Sequence, residues 1–298
     1  MLQRVKQKQE DLVIVKSVFE RNLKEKKLYK KILKWELIKM CKVIAIANQK
    51  GGVGKTTTTV NLGIGLANLG KRVICIDADS QGNLAVSLGI EEPDSLDYTV
   101  ANVIREICDE KEVDKKGILH HEENIDFLPA NIELSDVEVQ LINTIGREMM
   151  LKRYIEKIKS DYDYIIIDCS PNLGMITINA LTCADTVIIP VQASYLPLKG
   201  LQQLIKTIYK VKRQLNPKLE IEGILITMVD SRTNYSKDII ETLNENYGSS
   251  IRVFENIIPR SIKQDETTVS GKSIYKYAKN SNVAKCYKNF VDEVVKEG

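Results

Sequence analysis

Three glycines within four positions, Gly51-Gly52-Val53-Gly54, followed at once by Lys55-Thr56-Thr57, constrain this chain more than any other stretch. Before them runs the short, β-branched segment Val43 to Ala47, which reads as a buried strand. After them, Thr58 to Leu69 is small and apolar and reads as a helix, with Gly70 as its C-cap. A strand, a glycine loop and a helix in this order let main-chain N–H groups approach an anion, and the helix N-terminus adds partial positive charge. The pattern points to a bound phosphate chain, cradled by Gly51, Gly52, Val53, Gly54 and Thr57. Lys55 would reach the β- and γ-phosphates and the Thr56 hydroxyl would sit on Mg²⁺. The standard G-x-x-x-x-G-K-[ST] pattern is not met, because Gln49 stands where its first glycine belongs and a second lysine, Lys50, opens the loop.

Two later strand ends carry carboxylates. Val73 to Ile76 runs into Asp77-Ala78-Asp79-Ser80-Gln81-Gly82-Asn83. Aspartates at i and i+2 point the same way, towards the crevice where α/β folds bind ligands. A carboxylate there holds Mg²⁺ through water or orients an attacking water. Tyr164 to Ile167 is a second apolar run ending in one aspartate, Asp168, the pattern of a Walker B strand whose carboxylate orders the water shell of Mg²⁺. Between these anchors, Leu96 to Ile107 reads as a short helix, Asp109 to Glu123 as a solvated insertion, Ile125 to Leu128 as a strand and Ile132 to Ile158 as helical in period. Further strands are expected over Thr186 to Val191 and Glu222 to Met228, and helices over Leu173 to Cys183, up to Leu215, and Val283 to Val295.

Charge divides the chain unevenly. Residues 1–39 hold twelve Lys/Arg against five Asp/Glu, a net of +7, whereas residues 40–298 hold 31 against 35, a net of −4. Any basic surface on the larger part must therefore be local. The apolar patch Leu12 to Val15 is far too short for a signal peptide or a membrane span. Six cysteines without a C-x-x-C pair read as reduced, mostly structural thiols of a cytosolic protein, and His120 and His121 as solvated surface residues.

The loop resembles the "deviant Walker A" sequence KGGxGKTT of the ParA/MinD family of ATPases, and Asp77 to Asn83 resembles that family's DxDxQGN segment. Pro190 to Leu201 is similar to the P-x-Q-x-x-x-x-L-x-G-L segment of the ParA/Soj branch, Thr227 to Asn234 to its TMxDxRTN, Ile257 to Ser261 to its IPR segment and Gly271 to Ile274 to its GKPI. The resemblance runs from about Lys42 to Val295 with the motifs in family order. Departures are Ser170 in place of the first proline of D-x-P-P and Thr267-Thr268 in place of Ala-Pro. The resemblance implies a mostly parallel, doubly wound α/β sheet flanked by helices. It implies an Mg²⁺-dependent ATPase whose ATP bridges two copies into a sandwich dimer, Lys50 of each reaching the partner's phosphates. Lys50, Lys55 and Asp79 are then catalytic, Asp79 positioning the hydrolytic water, while Thr56, Asp77 and Asp168 surround the metal and Met228 and Pro259 lie by the adenine. Arg232, with Lys210, Lys212 and Arg213 on the preceding helix, becomes the candidate contact to non-specific double-stranded DNA. The implied role is chromosome or plasmid partitioning with a ParB/Spo-type centromere-binding partner, in the cytoplasm and on the nucleoid of a bacterium.

Residues 1–39 are a basic N-terminal extension with two readings. Either Lys24 to Lys39 forms a basic helix that touches DNA or an acidic membrane surface, or the extension is not translated natively and the ATPase domain, 40–298, starts at Met40, since family chains commonly begin near Cys41. The Trp35-Glu36 codons supply a purine-rich tract placed like a ribosome-binding site ahead of Met40. A MinD-like membrane ATPase of cell-division site placement is the competing reading. The tail Phe290 to Glu297 carries three acids and one aromatic, a poor membrane face, so no stable membrane association is expected. Cluster-carrying relatives need paired interface cysteines and tyrosine autokinases a C-terminal tyrosine cluster, and neither is present. A purely structural DNA-packing protein would not need Asp79 and Asp168.

Overall fold

The computed structural model describes residues 41–113, 115–193, 198–230 and 234–296. Seven strands form one sheet: β1 (Lys42–Ile46), β2 (Val73–Ala78), β3 (Leu119–His121), β4 (Ile125–Leu128), β5 (Tyr164–Cys169), β6 (Thr186–Gln192) and β7 (Glu220–Thr227). Their order is β3-β4-β2-β5-β1-β6-β7, parallel throughout except for the antiparallel β3–β4 pair at one edge. The inner strands are apolar up to the aspartates near the carboxyl ends of β2 and β5, because both faces are covered. In β1, Val43 and Ala45 enter one core while Ile44 and Ile46 enter the other; in β5, Ile165 and Ile167 divide likewise from Tyr164 and Ile166.

One face carries α1 (Lys55–Asn68), α2 (Asn83–Ser87) and, from the C-terminal part, α9 (Ile262–Ser270), α10 (Ile274–Tyr277) and α11 (Asn282–Lys296). The other carries α3 (Val100–Cys108), α4 (Glu133–Leu141), α5 (Met150–Ile158), α6 (Met175–Cys183), α7 (Leu198–Gln214) and α8 (Asn234–Tyr247). This is the doubly wound sheet expected from the motifs.

Three local expectations need correction. The helical stretch 132–158 is two helices, because Gly146 adopts a left-handed conformation at φ 69° and the chain turns between α4 and α5. Residues 109–123 are not simply a solvated insertion: Val113 is buried and Leu119–His121 adds the edge strand. His121 is therefore buried, not on the surface. Its Nδ1 accepts the Glu123 N–H at 3.2 Å, which leaves the proton on Nε2 to be donated to the Gly271 carbonyl at 3.2 Å. His120 is exposed as expected, 2.7 Å from Asp126. All six cysteines are free thiols.

Candidate active site

β1 lies between β5 and β6, although β2 follows it in the chain, so the strand order reverses beside β1. Open α/β sheets hold ligands at such a reversal, outside the carboxyl ends of the strands. Register does the rest. Ile46 of β1 pairs with Asp168 of β5, and Asp168 pairs on its other side with Asp77 of β2. Two aspartates far apart in sequence become neighbours at the point where the glycine loop leaves β1.

The loop is pinned from two sides. Buried Asn48 donates from Nδ2 to the Pro190 carbonyl at 2.6 Å and accepts the Lys50 N–H on Oδ1 at 2.9 Å. On the other shoulder the Thr227 hydroxyl donates to the Val53 carbonyl at 2.8 Å. Between these ties Gly52 and Gly54 take left-handed φ values of 69° and 85°, which side chains other than glycine rarely adopt. Gly54 caps α1 without a side-chain acceptor, so the first-turn N–H groups are not closed off by a cap. Gly51 and Gly52 are exposed, and Thr56 and Thr57 are half-buried in that first turn.

Both lysines are held. Lys55 is only 8% exposed and donates to the Lys50 carbonyl at 3.3 Å. Burial pulls its ammonium below the ordinary lysine value, while Asp168, Cys169 and Asp79 pull the other way. The Lys50 ammonium donates to Gln192 Oε1 at 3.1 Å, at the end of β6 in the same chain.

The carboxylates differ in their partners. Asp77 accepts the N–H groups of Asp79 at 3.0 Å and Leu84 at 3.2 Å. Burial first, then the charge of Asp168, still pushes it well above the ordinary carboxylate range. Asp79 is half-exposed and accepts the Gln81 N–H at 3.2 Å. Asp168 has both oxygens buried and neither meets a hydrogen-bond donor. Burial pushes it up to about 7 and Asp79 adds to the rise, against the Thr56 and Thr59 hydroxyls and the Lys55 ammonium nearby. A buried, unpartnered carboxylate beside a threonine hydroxyl and a second aspartate fits a divalent cation. No group of three or more His, Cys, Asp or Glu converges as a metal cage among the described residues. Mg²⁺ suits so sparse a set, since it keeps several waters and takes one or two carboxylates plus phosphate oxygens.

Met228 and Pro259 both adjoin the loop end of β7. Met228 has a left-handed φ of 54°, and its Cε lies 3.9 Å from where a Cβ on Gly54 would stand. Pro259 is bridged in parallel to Val229. The basic residues of α7 sit elsewhere. Lys210 and Arg213 are exposed, but Lys212 pairs with Glu220, the first residue of β7, so this end of α7 lies towards the sheet edge remote from the loop. Arg232 falls outside the described residues. Sequence reasoning assigned no role to Asn48, Gln192 or Thr227, the side chains that fix the loop and its first lysine; a lone asparagine straight after an apolar strand was the available signal.

The family model described as "AAA domain" matches residues 41–221. Sporulation initiation inhibitor protein Soj of Bacillus subtilis is 46% identical over 259 residues, covering 87% of this chain and 100% of that protein. Chromosome partitioning protein ParA of Myxococcus xanthus is 39% identical, covering 86% of this chain and 88% of that one. Among solved structures, cobyrinic acid a,c-diamide synthase from Mycobacterium smegmatis with bound ATP analogue and magnesium superposes with a TM-score of 0.75 at 36% identity, covering 86% of this chain and 95% of that chain.

Proposed function

This chain belongs to the ParA/Soj family of ATPases, and from that membership we propose that it is a partition ATPase that hydrolyses ATP within a nucleotide-bridged dimer and binds DNA in that state. The chain takes ATP and Mg²⁺; the related Mycobacterium smegmatis structure holds an ATP analogue and magnesium. The observation that carries the reading is Asp168: a wholly buried carboxylate without a donor, facing Asp77 at the root of a glycine loop.

The loop amides and Lys55 hold the phosphate chain, the lysine brought in already desolvated and ready to meet an anion. Thr56 and Asp168, with Asp77 behind them, would hold Mg²⁺, which when bound neutralises charge on the β- and γ-phosphate oxygens. Asp79, steadied by the Gln81 N–H, accepts a hydrogen bond from a water and aims it at the γ-phosphorus. The new P–O bond forms as the bond to the β–γ bridging oxygen breaks, leaving ADP and phosphate. Little covalent work falls to the protein; positioning and charge carry the rate. Met228 and Pro259 flank the base.

Lys50 links nucleotide to assembly. In the single chain its ammonium rests on Gln192; in the dimer it turns to the phosphates held by the partner. ATP is then part of the interface and nucleotide state sets oligomeric state. Dimerisation doubles every local basic surface, which a core of net charge −4 needs for sequence-blind phosphate contacts. A ParB-type partner would stimulate turnover and release DNA, and the protein would work on the nucleoid. Arg232, Lys210 and Arg213 remain contacts in this reading, whereas Lys212 has its charge answered by Glu220. The MinD-like alternative is disfavoured because Val283, Tyr287, Phe290, Val291 and Val294 of the last helix are buried in the core, leaving no apolar face for lipid. No helix among the described residues is long and apolar enough to cross a membrane.

Lys50→Ala tests the reading. It should abolish ATP-dependent DNA binding in a sedimentation assay while nucleotide affinity of the monomer survives; retained DNA binding would count against the bridged dimer.

A further inference from the structure

α1 begins at the phosphate loop and ends, 14 residues and roughly 21 Å later, at a second concave site. There a groove of about 630 Å³ opens between the end of α1, α10 and α11. Its floor is rigid. The Tyr275 hydroxyl donates to the Asn61 carbonyl at 3.0 Å, and a Cβ on Gly65 would come within 2.5 Å of Val291 and 2.7 Å of the Tyr275 oxygen. Its rim is basic: Lys276, Lys279, Lys285 and Lys288 line it and all four are exposed.

The acids nearby answer only part of that charge. Lys276 pairs with Glu122 at 2.8 Å. Glu123 faces the groove, but both its oxygens are taken by the Ser273 N–H and hydroxyl. Asp292 is the other acid of the lining. Lys279, Lys285 and Lys288 have no ion pair among the described residues. On a core of net −4 this concentration of unanswered cations is a local anion-binding field.

We propose that this groove is a phosphate-contacting surface for duplex DNA, an inference that rests on the reading that the ATP-bound dimer binds DNA. Lysines are compact charges on flexible stems, suited to a repeating backbone and not to reading base edges. Lys285 and Lys288 stand one helical turn apart on α11, an axial rise of about 4.5 Å, so their ammonium groups reach neighbouring phosphates along one strand. Lipid is the weaker occupant, because the apolar side chains of α11 point into the core. The groove also lies at the far end of α1 from the loop, so it stays open when two loop ends face each other.

The test uses the full chain with Mg²⁺ and a non-hydrolysable ATP analogue, a fluorescent duplex of random sequence read by anisotropy across a salt titration, and anionic vesicles in parallel. The triple variant Lys279→Glu/Lys285→Glu/Lys288→Glu should weaken duplex binding by at least about tenfold, and should flatten the dependence of log affinity on log salt by about 0.9 for each phosphate no longer neutralised. Dimer mass by light scattering and DNA-free ATPase should not change. If the charge reversals unfold the chain, Lys→Gln at the same three positions should give the same flattening. Unchanged affinity and slope, in a protein whose wild type binds duplex, overturns the groove and leaves the partition reading standing. Loss of vesicle binding with duplex binding intact assigns the groove to lipid and overturns it too. A wild type that dimerises with the analogue but never binds duplex removes the DNA reading itself.

Discussion

Where the strands begin, Glu222 is closed on both sides, accepting the Lys42 ammonium at 2.9 Å and the Thr186 hydroxyl at 2.5 Å; where they end, neither Asp168 oxygen is hydrogen-bonded, with only the Thr56 and Thr59 hydroxyls and the Lys55 ammonium nearby. Asp163, at the beginning of β5, accepts the Arg72 N–H at 2.9 Å and its guanidinium at 3.1 Å. Burial opposes its ionisation, yet Arg72 outweighs it and holds Asp163 below the ordinary carboxylate value. The same residue types thus serve two purposes on one sheet. Satisfied carboxylates fasten strand starts, and a carboxylate left unsatisfied at the strand ends keeps its oxygens free for the cation of the proposed site. Buried polar groups are normally paired, so the exception marks where chemistry is expected.

The largest effect that could break this contrast is on turnover. Asp79→Ala should lower phosphate release by about 10²- to 10⁴-fold while the variant still binds the ATP analogue and dimerises. Glu222→Ala should leave the rate per folded molecule within about twofold of wild type, since it touches only the far end. Normal release from the Asp79 variant would move the water-positioning role to another group.

Stability against pH should separate the two ends by sign. Asp168 sits at about 7 against an ordinary 3.8, so in the nucleotide-free protein the unfolded state loses its proton first and stability falls as pH rises between those values. The penalty, of the order of a few kcal/mol, is complete above the upper value. Asp163, held below its ordinary value, stabilises above 3.8 and loses that contribution as pH drops through its folded-state value. Asp168→Asn should raise the nucleotide-free melting temperature at neutral pH, by about 2–4 °C for each kcal/mol regained, and should forfeit much of the rise given by Mg²⁺ and the ATP analogue. An unchanged melting temperature would mean that Asp168 is not strained when empty-handed.

A smaller, opposite effect is expected at the strand starts. Glu222→Ala should destabilise the protein by about 2 kcal/mol in urea unfolding, because Lys42 and Thr186 lose a charged partner. A stabilised variant would show the pair to be dispensable.

What the residues alone disclosed follows from how local each signal is. β1, the glycine loop and α1 form one continuous segment, and Asp77 and Asp168 each end an apolar run, so all were legible without the fold. Their pairing is a matter of register, which only strand order supplies. Strand β3 was missed because it is three residues long, lies among charges and owes its existence to β4. His121 looked solvated for the same reason: it is covered by Gly271, 150 residues further on. The lysine groove joins the end of α1 to α10 and α11, segments that no sequence window holds together. Gln192 was visible within a motif, but its grip on Lys50 crosses from β6 to the loop.

Light scattering of the purified full chain with Mg²⁺ and a non-hydrolysable ATP analogue tests the central claim most directly. The account predicts a shift from the 33.7 kDa monomer to twice that mass, seen with the analogue and not with ADP. A chain that stays monomeric with the analogue bound would contradict it.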